Sequence, residues 1–81
     1  MNVSLVKRST VCKRLAIGRT LSFEHERVGL LPEPVMINAR SAVWGEHEID
    51  AIAAARMAGK NTDEIRQLVR DLTAARKGVS A

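Results

Sequence analysis

The sequence has 81 residues, a formal net charge of +4 at pH 7 and a single cysteine, Cys12. This length accommodates one small domain, and a lone cysteine excludes both an internal disulfide and the common zinc sites, which need several Cys and His residues. No apolar stretch approaches the roughly 20 residues of a membrane-spanning helix, and no long apolar run follows the basic N-terminal residues, as it would in a signal peptide. We therefore expect a cytoplasmic protein that has no metal, cofactor, membrane partner or small-molecule substrate.

Positive charge is concentrated in the first part of the chain. Up to Thr20 the sequence contains no acidic residue, and its basic residues are Lys7, Arg8, Lys13, Arg14 and Arg19. The remainder of the chain is mixed in sign. A block of unopposed positive charge attracts phosphates, although many basic surfaces are only solvated. The charge pattern is therefore compatible with nucleic-acid binding but does not establish it.

The N-terminal segment predicts a strand followed by a short helix. Residues 3–6 are rich in β-branched side chains, as is typical of strands. Ser9 and Thr10 precede an apolar–basic–basic–apolar pattern over 11–15. A hydroxyl residue in this position predicts an N-cap and a short helix.

A second helix is predicted over 19–28. Gly18 precedes it and either ends the first helix or caps the second, because glycine suits both positions. Gly29 follows the helix and is typical of a C-terminal cap. The two prolines of the next segment, 30–34, favour an extended backbone.

Two short apolar runs, 35–37 and 42–44, predict a β-hairpin with a four-residue loop that has Arg40 at its tip. Phe23 and Trp44 are the aromatic residues of the sequence. Large aromatic side chains dominate small cores, so we expect both to pack inside the domain.

The C-terminal half predicts two more helices. Acidic residues open a segment with helical spacing of its apolar residues, which predicts a third helix over 46–57. Asn61 and Glu64 have the spacing of a capping box and begin a fourth, amphipathic helix that ends near Lys77. Its apolar stripe either completes the core or packs on a second copy of the chain.

The order helix, turn, helix and hairpin is that of a winged helix-turn-helix. We therefore predict a mainly α fold with a small β-hairpin, in which 1–58 form a DNA-binding domain and 59–81 form a helical extension. A helix fits the major groove, where base edges differ in their donors and acceptors. The hairpin would reach a neighbouring phosphate or the adjacent minor groove.

The stretch 18–34, GRTLSFEHERVGLLPEP, resembles AlpA-like prophage regulators and excisionases, small relatives of the MerR-type winged helix. The positions that carry the resemblance are Arg19, Thr20, Gly29, Leu31, Pro32 and Pro34. The following VMINARSAVWGEHEIDAI is similar to the wing of that family, and AGKNTDEIRQLVRDLTAARKG resembles an extension seen in some members. The resemblance implies a regulator of transcription or an excision factor of a mobile element. Its partners would be double-stranded DNA, further copies of itself and an integrase.

The expected DNA contacts lie on the first two helices and on the hairpin. They are Lys13, Arg14, Arg19, Thr20, Ser22, Asn38, Arg40 and Ser41. Glu24 and Glu26 stand out in the second helix, since phosphates repel carboxylates even though a carboxylate can accept from cytosine N4. An alternative is therefore a protein-interaction module, an antirepressor or recombinase adaptor, whose acidic second helix contacts protein. No nucleophile accompanies the glutamates, so we do not expect an enzyme.

Overall fold

The computed structural model describes residues 3–78. Over this range the chain is mostly helical, with four α-helices and a three-stranded antiparallel sheet. The elements are β1 (Leu5–Lys7), α1 (Arg8–Leu15), α2 (Arg19–Arg27), β2 (Val35–Asn38), β3 (Ser41–Gly45), α3 (Glu46–Met57), α4 (Thr62–Ala75) and a final 3₁₀ turn (Arg76–Gly78). None of the helices in this range is long and apolar enough to cross a membrane.

The sheet has the strand order β1–β3–β2, so the hairpin is extended by a third strand from the N-terminus. Val6 of β1 lies opposite Trp44 of β3, and both side chains are buried in the core. The expected hairpin is present, but its connection is a two-residue turn at 39–40 and not a four-residue loop. The loop prediction was wrong because Asn38 and Ser41 pair with each other in the sheet.

The strand β2 contains an irregularity next to this turn. Met36 pairs with Ala42 and Asn38 pairs with Ser41, which leaves Ile37 as an extra residue on β2. This arrangement is a β-bulge, which bends a strand and increases its local twist. Ile37 is also exposed.

The core lies between one face of the sheet and three of the helices. Its buried members are Val6, Val11, Leu31, Trp44, Ile49, Ile52, Ile65 and Val69. The Trp44 indole donates a 2.7 Å hydrogen bond to the carbonyl of Pro32, so the segment that joins α2 to the hairpin is fixed against β3. Because α4 contributes Ile65 and Val69, it packs on the domain; self-association through this helix remains a prediction.

The first helix begins earlier than the hydroxyl residues indicate. Lys7 is its N-cap and makes no side-chain capping hydrogen bond, so the prediction of a cap at Ser9 or Thr10 was wrong. The helix starts where β1 ends, because Lys7 is still paired with Val43 in the sheet. The position of the strand, and not a local capping signal, therefore determines where α1 begins.

The turn between α1 and α2 contains an unusual backbone conformation. Ala16 adopts the left-handed region at φ 55° and ends α1. Gly18 has an extended backbone and is the N-cap of α2, which decides between the two roles that its sequence position allowed. The left-handed conformation costs an L-residue about 1 kcal/mol or more. Backbone hydrogen bonds from the N–H of Ala16 to the carbonyl of Lys13 and from the N–H of Ile17 to that of Cys12 close the end of the helix there.

Helices α3 and α4 follow their sequence signals closely. Helix α3 spans the predicted residues. The predicted capping box at α4 is confirmed, since the side chains of Asn61 and Glu64 each accept a hydrogen bond from the other residue's backbone N–H. Arg66 of α4 also donates a 3.0 Å hydrogen bond to the carbonyl of Val28, which attaches α4 to the end of α2.

Candidate nucleic-acid interface

A basic cleft of about 400 Å³ lies between the start of α1, helix α2 and the β2–β3 hairpin. We refer to it as the cleft; its lining residues are Lys7, Arg8, Ser9, Arg19, Phe23, Arg40, Ser41 and Ala42. The fold therefore brings together three of the predicted contact residues, Arg19, Arg40 and Ser41. It adds Lys7 and Arg8 from the strand–helix junction.

Three of the cations at the cleft keep their charge uncompensated. Within residues 3–78, Lys7, Arg19 and Arg40 take part in no salt bridge, and all three are exposed. They come from three different elements of the fold. Cations that converge from separate elements create a positive potential that attracts a polyanion.

Arg8 differs from these three because its guanidinium group is held inside the domain. It donates hydrogen bonds of 3.1 Å to the Ser22 hydroxyl and 2.9 Å to the Glu26 carboxylate. Its guanidinium carbon lies 3.7 Å from the centroid of the Phe23 ring and 4.8 Å from that of Trp44. Arg8 thus links α1 to both α2 and β3.

The expectation that Phe23 packs in the core was wrong. Its side chain is 47% exposed and forms part of the cleft wall. Arg8 stacks on the ring, and the Arg19 guanidinium carbon lies 5.4 Å from the ring centroid. The ring therefore lies at the surface beside two arginines and is not part of the hydrophobic core cluster.

Ser22 is buried in the domain, which argues against its predicted contact with DNA. The residue has 0% exposed surface, and its hydroxyl donates a 2.6 Å hydrogen bond to the carbonyl of Arg19 while accepting one from Arg8. The side chain therefore faces the interior of the domain, on the opposite side of α2 from the exposed Thr20.

The acidic residues of α2 each have a basic partner. Glu26 pairs with Arg8. Glu24 pairs with Arg27 one turn further along the same helix, and the hydrogen bond from Arg27 holds the pKa of Glu24 below its ordinary value. Because these carboxylates are neutralised locally, α2 repels phosphate less than its sequence indicates.

The remaining predicted residues on the hairpin and on α2 have distinct positions. Asn38 accepts a 2.9 Å hydrogen bond from the backbone N–H of Arg40 through its side-chain oxygen. This contact is typical of asparagine in turns and shapes the hairpin tip. Thr20 is exposed beside Arg19 at the start of α2. Both residues are adjacent to cleft residues without lining the cleft.

Lys13 and Arg14 lie at the far end of α1, away from the cleft. Lys13 is exposed. Arg14 donates hydrogen bonds of 2.6 Å to Asp50 and 2.9 Å to Glu46, and these contacts, first that to Asp50, raise its pKa. The ion pairs argue against the predicted phosphate contact of Arg14, whereas a contact by Lys13 stays a prediction.

Lys7 and Arg8 were not among the predicted DNA contacts, and Phe23 was expected in the core and not at a binding surface. One local signal for Phe23 was present, because Arg19 and Phe23 are four residues apart and share a helix face. The contact between Arg8 and Phe23 had no such signal, since it depends on how β1 pairs with β3.

A second cavity, of about 230 Å³, lies below the turn between α1 and α2. Leu15, Ile17, Leu30 and Ile52 line it together with His25 and Arg56. Burial, and then the charge of Arg56, lowers the pKa of His25. The cavity is smaller than the roughly 300 Å³ at which ligand pockets usually begin, and fewer basic side chains line it than line the cleft. The cleft is therefore the stronger candidate for binding a polyanion.

Compared with known protein families, with curated proteins and with solved structures, the chain shows no significant match.

Proposed function

We propose that this chain is a sequence-specific DNA-binding protein of the winged helix-turn-helix type, serving a prophage or another mobile element. The observation that carries the proposal is the convergence of Lys7, Arg19 and Arg40 on one cleft. Each of these cations lies outside any salt bridge among the described residues. A function in the bacterial cytoplasm, on the nucleoid when the protein is bound, follows from this proposal.

The geometry of the cleft suits a duplex. Helix α2 has nine residues, and an α-helix with its side chains is about 10–12 Å across, which fits the roughly 12 Å width of the major groove. With α2 in that groove, the hairpin would reach the adjacent groove, and the intervening phosphate strand would pass through the cleft. Arg19 would contact it from the helix side and Arg40 from the hairpin side.

Two biological roles fit this mode of binding. One is transcriptional regulation of the element, and the other is excision, in which several copies would bind side by side, bend the DNA and recruit an integrase. The resemblance of residues 18–34 to AlpA-like regulators and excisionases supports both roles equally.

The test is fluorescence anisotropy with labelled duplexes that tile the protein's own upstream region and the attachment sites of the element. Three phosphate contacts predict that log affinity falls by about 2.7 per unit of log salt, a magnitude that we call the salt slope. This is about a fortyfold loss of affinity between 50 and 200 mM salt. Saturable, salt-sensitive binding to one tile is expected, and the position of that tile would distinguish a promoter from an attachment site.

Absence of binding at 50 mM salt, or binding with no salt dependence, would overturn the proposal. It would favour the alternative role as an antirepressor or recombinase adaptor. One observation supports a protein partner: apolar side chains of the two edge strands, Leu5 of β1 and Val35 of β2, are about half exposed. Together with Val3 they lie at one groove of the surface.

A further inference from the structure

Arg8 is enclosed although it lies at a basic cleft. Its side chain is only 11% exposed, and the groups around it are two aromatic rings, a hydroxyl and a carboxylate. A guanidinium group has flat faces for stacking and several N–H groups at its edge for hydrogen bonds. In Arg8 both are engaged within the domain, which leaves little of the group available to a phosphate.

The partners of Arg8 form a continuous series from the core to the cleft. Trp44 is buried in the core, Arg8 stacks between Trp44 and Phe23, and Phe23 lies next to Arg19. We refer to these four residues as the stack. On α2, Arg8 also contacts Ser22 and Glu26, so its contacts cover more than one turn of that helix.

We infer that Arg8 is a positioning residue for DNA recognition: it fixes α2 against β3 and, through Phe23, orients the Arg19 guanidinium toward DNA, without contacting phosphate itself. The inference rests on the proposed function. If the inference is correct, Arg8 contributes to the affinity for DNA although it releases no counterion from the DNA. A direct phosphate contact would contribute to both, because each neutralised phosphate adds about 0.9 to the salt slope.

The first experiment compares Arg8→Lys and Arg8→Met with the wild-type protein on the tightest-binding duplex of the tiled set. Lysine keeps the charge and methionine keeps part of the apolar contact, but neither can stack and donate in the geometry of arginine. We expect both variants to bind on the order of tenfold more weakly with an unchanged salt slope, because Arg19 still reaches its phosphate but must be ordered on binding instead of being held in place beforehand. Arg19→Ala, measured alongside, should lower the slope by about one.

A decrease of about one in the slope for Arg8→Met, together with full affinity for Arg8→Lys, would overturn the inference and identify Arg8 as a phosphate contact. The proposed function would survive that result, since wild-type binding would be intact. Absence of DNA binding by the wild-type protein would instead remove the proposed function and the inference together.

The second experiment does not depend on the folding of the Arg8 variants. Phe23→Leu keeps an apolar side chain of similar reach on an exposed position but removes the aromatic face between Arg8 and Arg19, whereas Phe23→Tyr keeps it. We expect Phe23→Leu to weaken binding several-fold without changing the salt slope, and Phe23→Tyr to bind like the wild type.

A double-mutant cycle then separates positioning from general structural support. If Phe23 acts through Arg19, Phe23→Leu should have little further effect on affinity in the Arg19→Ala background, because neighbours that act together are not additive. Fully additive losses, or a Phe23→Leu variant that binds as tightly as wild type, would overturn the role of the stack.

Discussion

Basic side chains occur on two sides of the molecule, and the two sides differ in how the charge is compensated. In the cleft, Arg19 and Arg40 lie outside any salt bridge among residues 3–78, whereas the arginines that face α3 are paired: Arg14 with Asp50 and Glu46, and Arg76 with Glu48. Net charge does not reveal this difference. The location of acidic partners distinguishes cations that hold the fold together from cations that remain available to a polyanion.

The ion pair between Glu48 and Arg76 contains the most buried carboxylate among the described residues. Glu48 is 1% exposed and accepts hydrogen bonds of 2.7 and 2.8 Å from Arg76, as well as one of 3.2 Å from the backbone N–H of Gly45. It therefore joins the start of α3 to the turn that follows α4. Burial alone would raise the pKa of Glu48, but the hydrogen bonds and charge of Arg76 outweigh it and keep the pKa below the ordinary value.

The largest effect is expected from Glu48→Ala. Removal of one partner from a buried ion pair leaves the other partly buried without compensation, which costs about 3 kcal/mol. Urea denaturation followed by circular dichroism measures this loss. Glu46→Ala is the matched control on the same helix, because its carboxylate is partly exposed and exposed ion pairs contribute little. Equal losses for the two variants would contradict a special role of the Glu48 pair.

The same carboxylate predicts an acid-sensitive part of the stability. Because its pKa is lower in the folded state than in the unfolded state, its contribution is fully present above the ordinary glutamate pKa of about 4.3 and is lost as the pH falls through the folded value. The difference in unfolding free energy between wild type and Glu48→Gln should therefore shrink between pH 6 and pH 3. A constant difference over this range would show that ionisation of Glu48 does not stabilise the fold.

An intermediate effect, on binding and not on stability, is expected in the cleft. Arg19→Ala and Arg40→Ala should each weaken DNA binding on the order of tenfold and lower the salt slope by about one, as loss of a phosphate contact does. Their thermal unfolding should remain near that of the wild type, since neither side chain takes part in a salt bridge among the described residues. Unchanged affinity in both variants would refute the assignment of the cleft as the DNA-contacting surface.

The smallest effect is expected for Arg14→Ala, which removes a paired arginine that faces α3 and not one of the cleft arginines that are unpaired among the described residues. Its partners, Glu46 and Asp50, are partly or largely exposed, so the loss of stability should be small. Affinity and salt slope should stay at the wild-type values in the anisotropy titration. A slope lowered by about one would mean that Arg14 leaves its acidic partners to bind phosphate, and the distinction between the two sides would then fail.

The features that were predictable from the sequence are those encoded by neighbouring residues. The capping box of Asn61 and Glu64, the stop of α2 before Gly29 and the extent of α3 each depend on residues within one or two turns. The left-handed conformation of Ala16 was not predictable, because alanine disfavours this region and glycine is the usual residue at such a helix end. The two-residue hairpin turn was missed since the pairing of Asn38 with Ser41 occurs together with a bulge that no sequence signal indicates.

The candidate site was predictable only in part, because some of its side-chain contacts join residues that are far apart in the sequence. Arg19 and Arg40 were identified from element order and charge, and the structure brings both to the cleft. The roles of Arg8 and Arg14 depend on partners 18 and 36 residues away, and no local pattern distinguishes the two arginines of one short helix. Their difference follows from where β1 and α3 lie in the folded domain.

Because of the bulge at Ile37, a change in the number of residues in the hairpin would also change its shape. Surface turns usually tolerate insertions and deletions, but here one strand already carries one residue more than its partner between matched pairs. Deletion of Ile37 would restore a regular ladder and remove the added twist, which would turn the tip that carries Arg40 relative to α2. In the proposed DNA complex, the distance between Arg19 and Arg40 determines how many base pairs separate the phosphates that they contact. That distance would then depend on Ile37, which does not line the cleft.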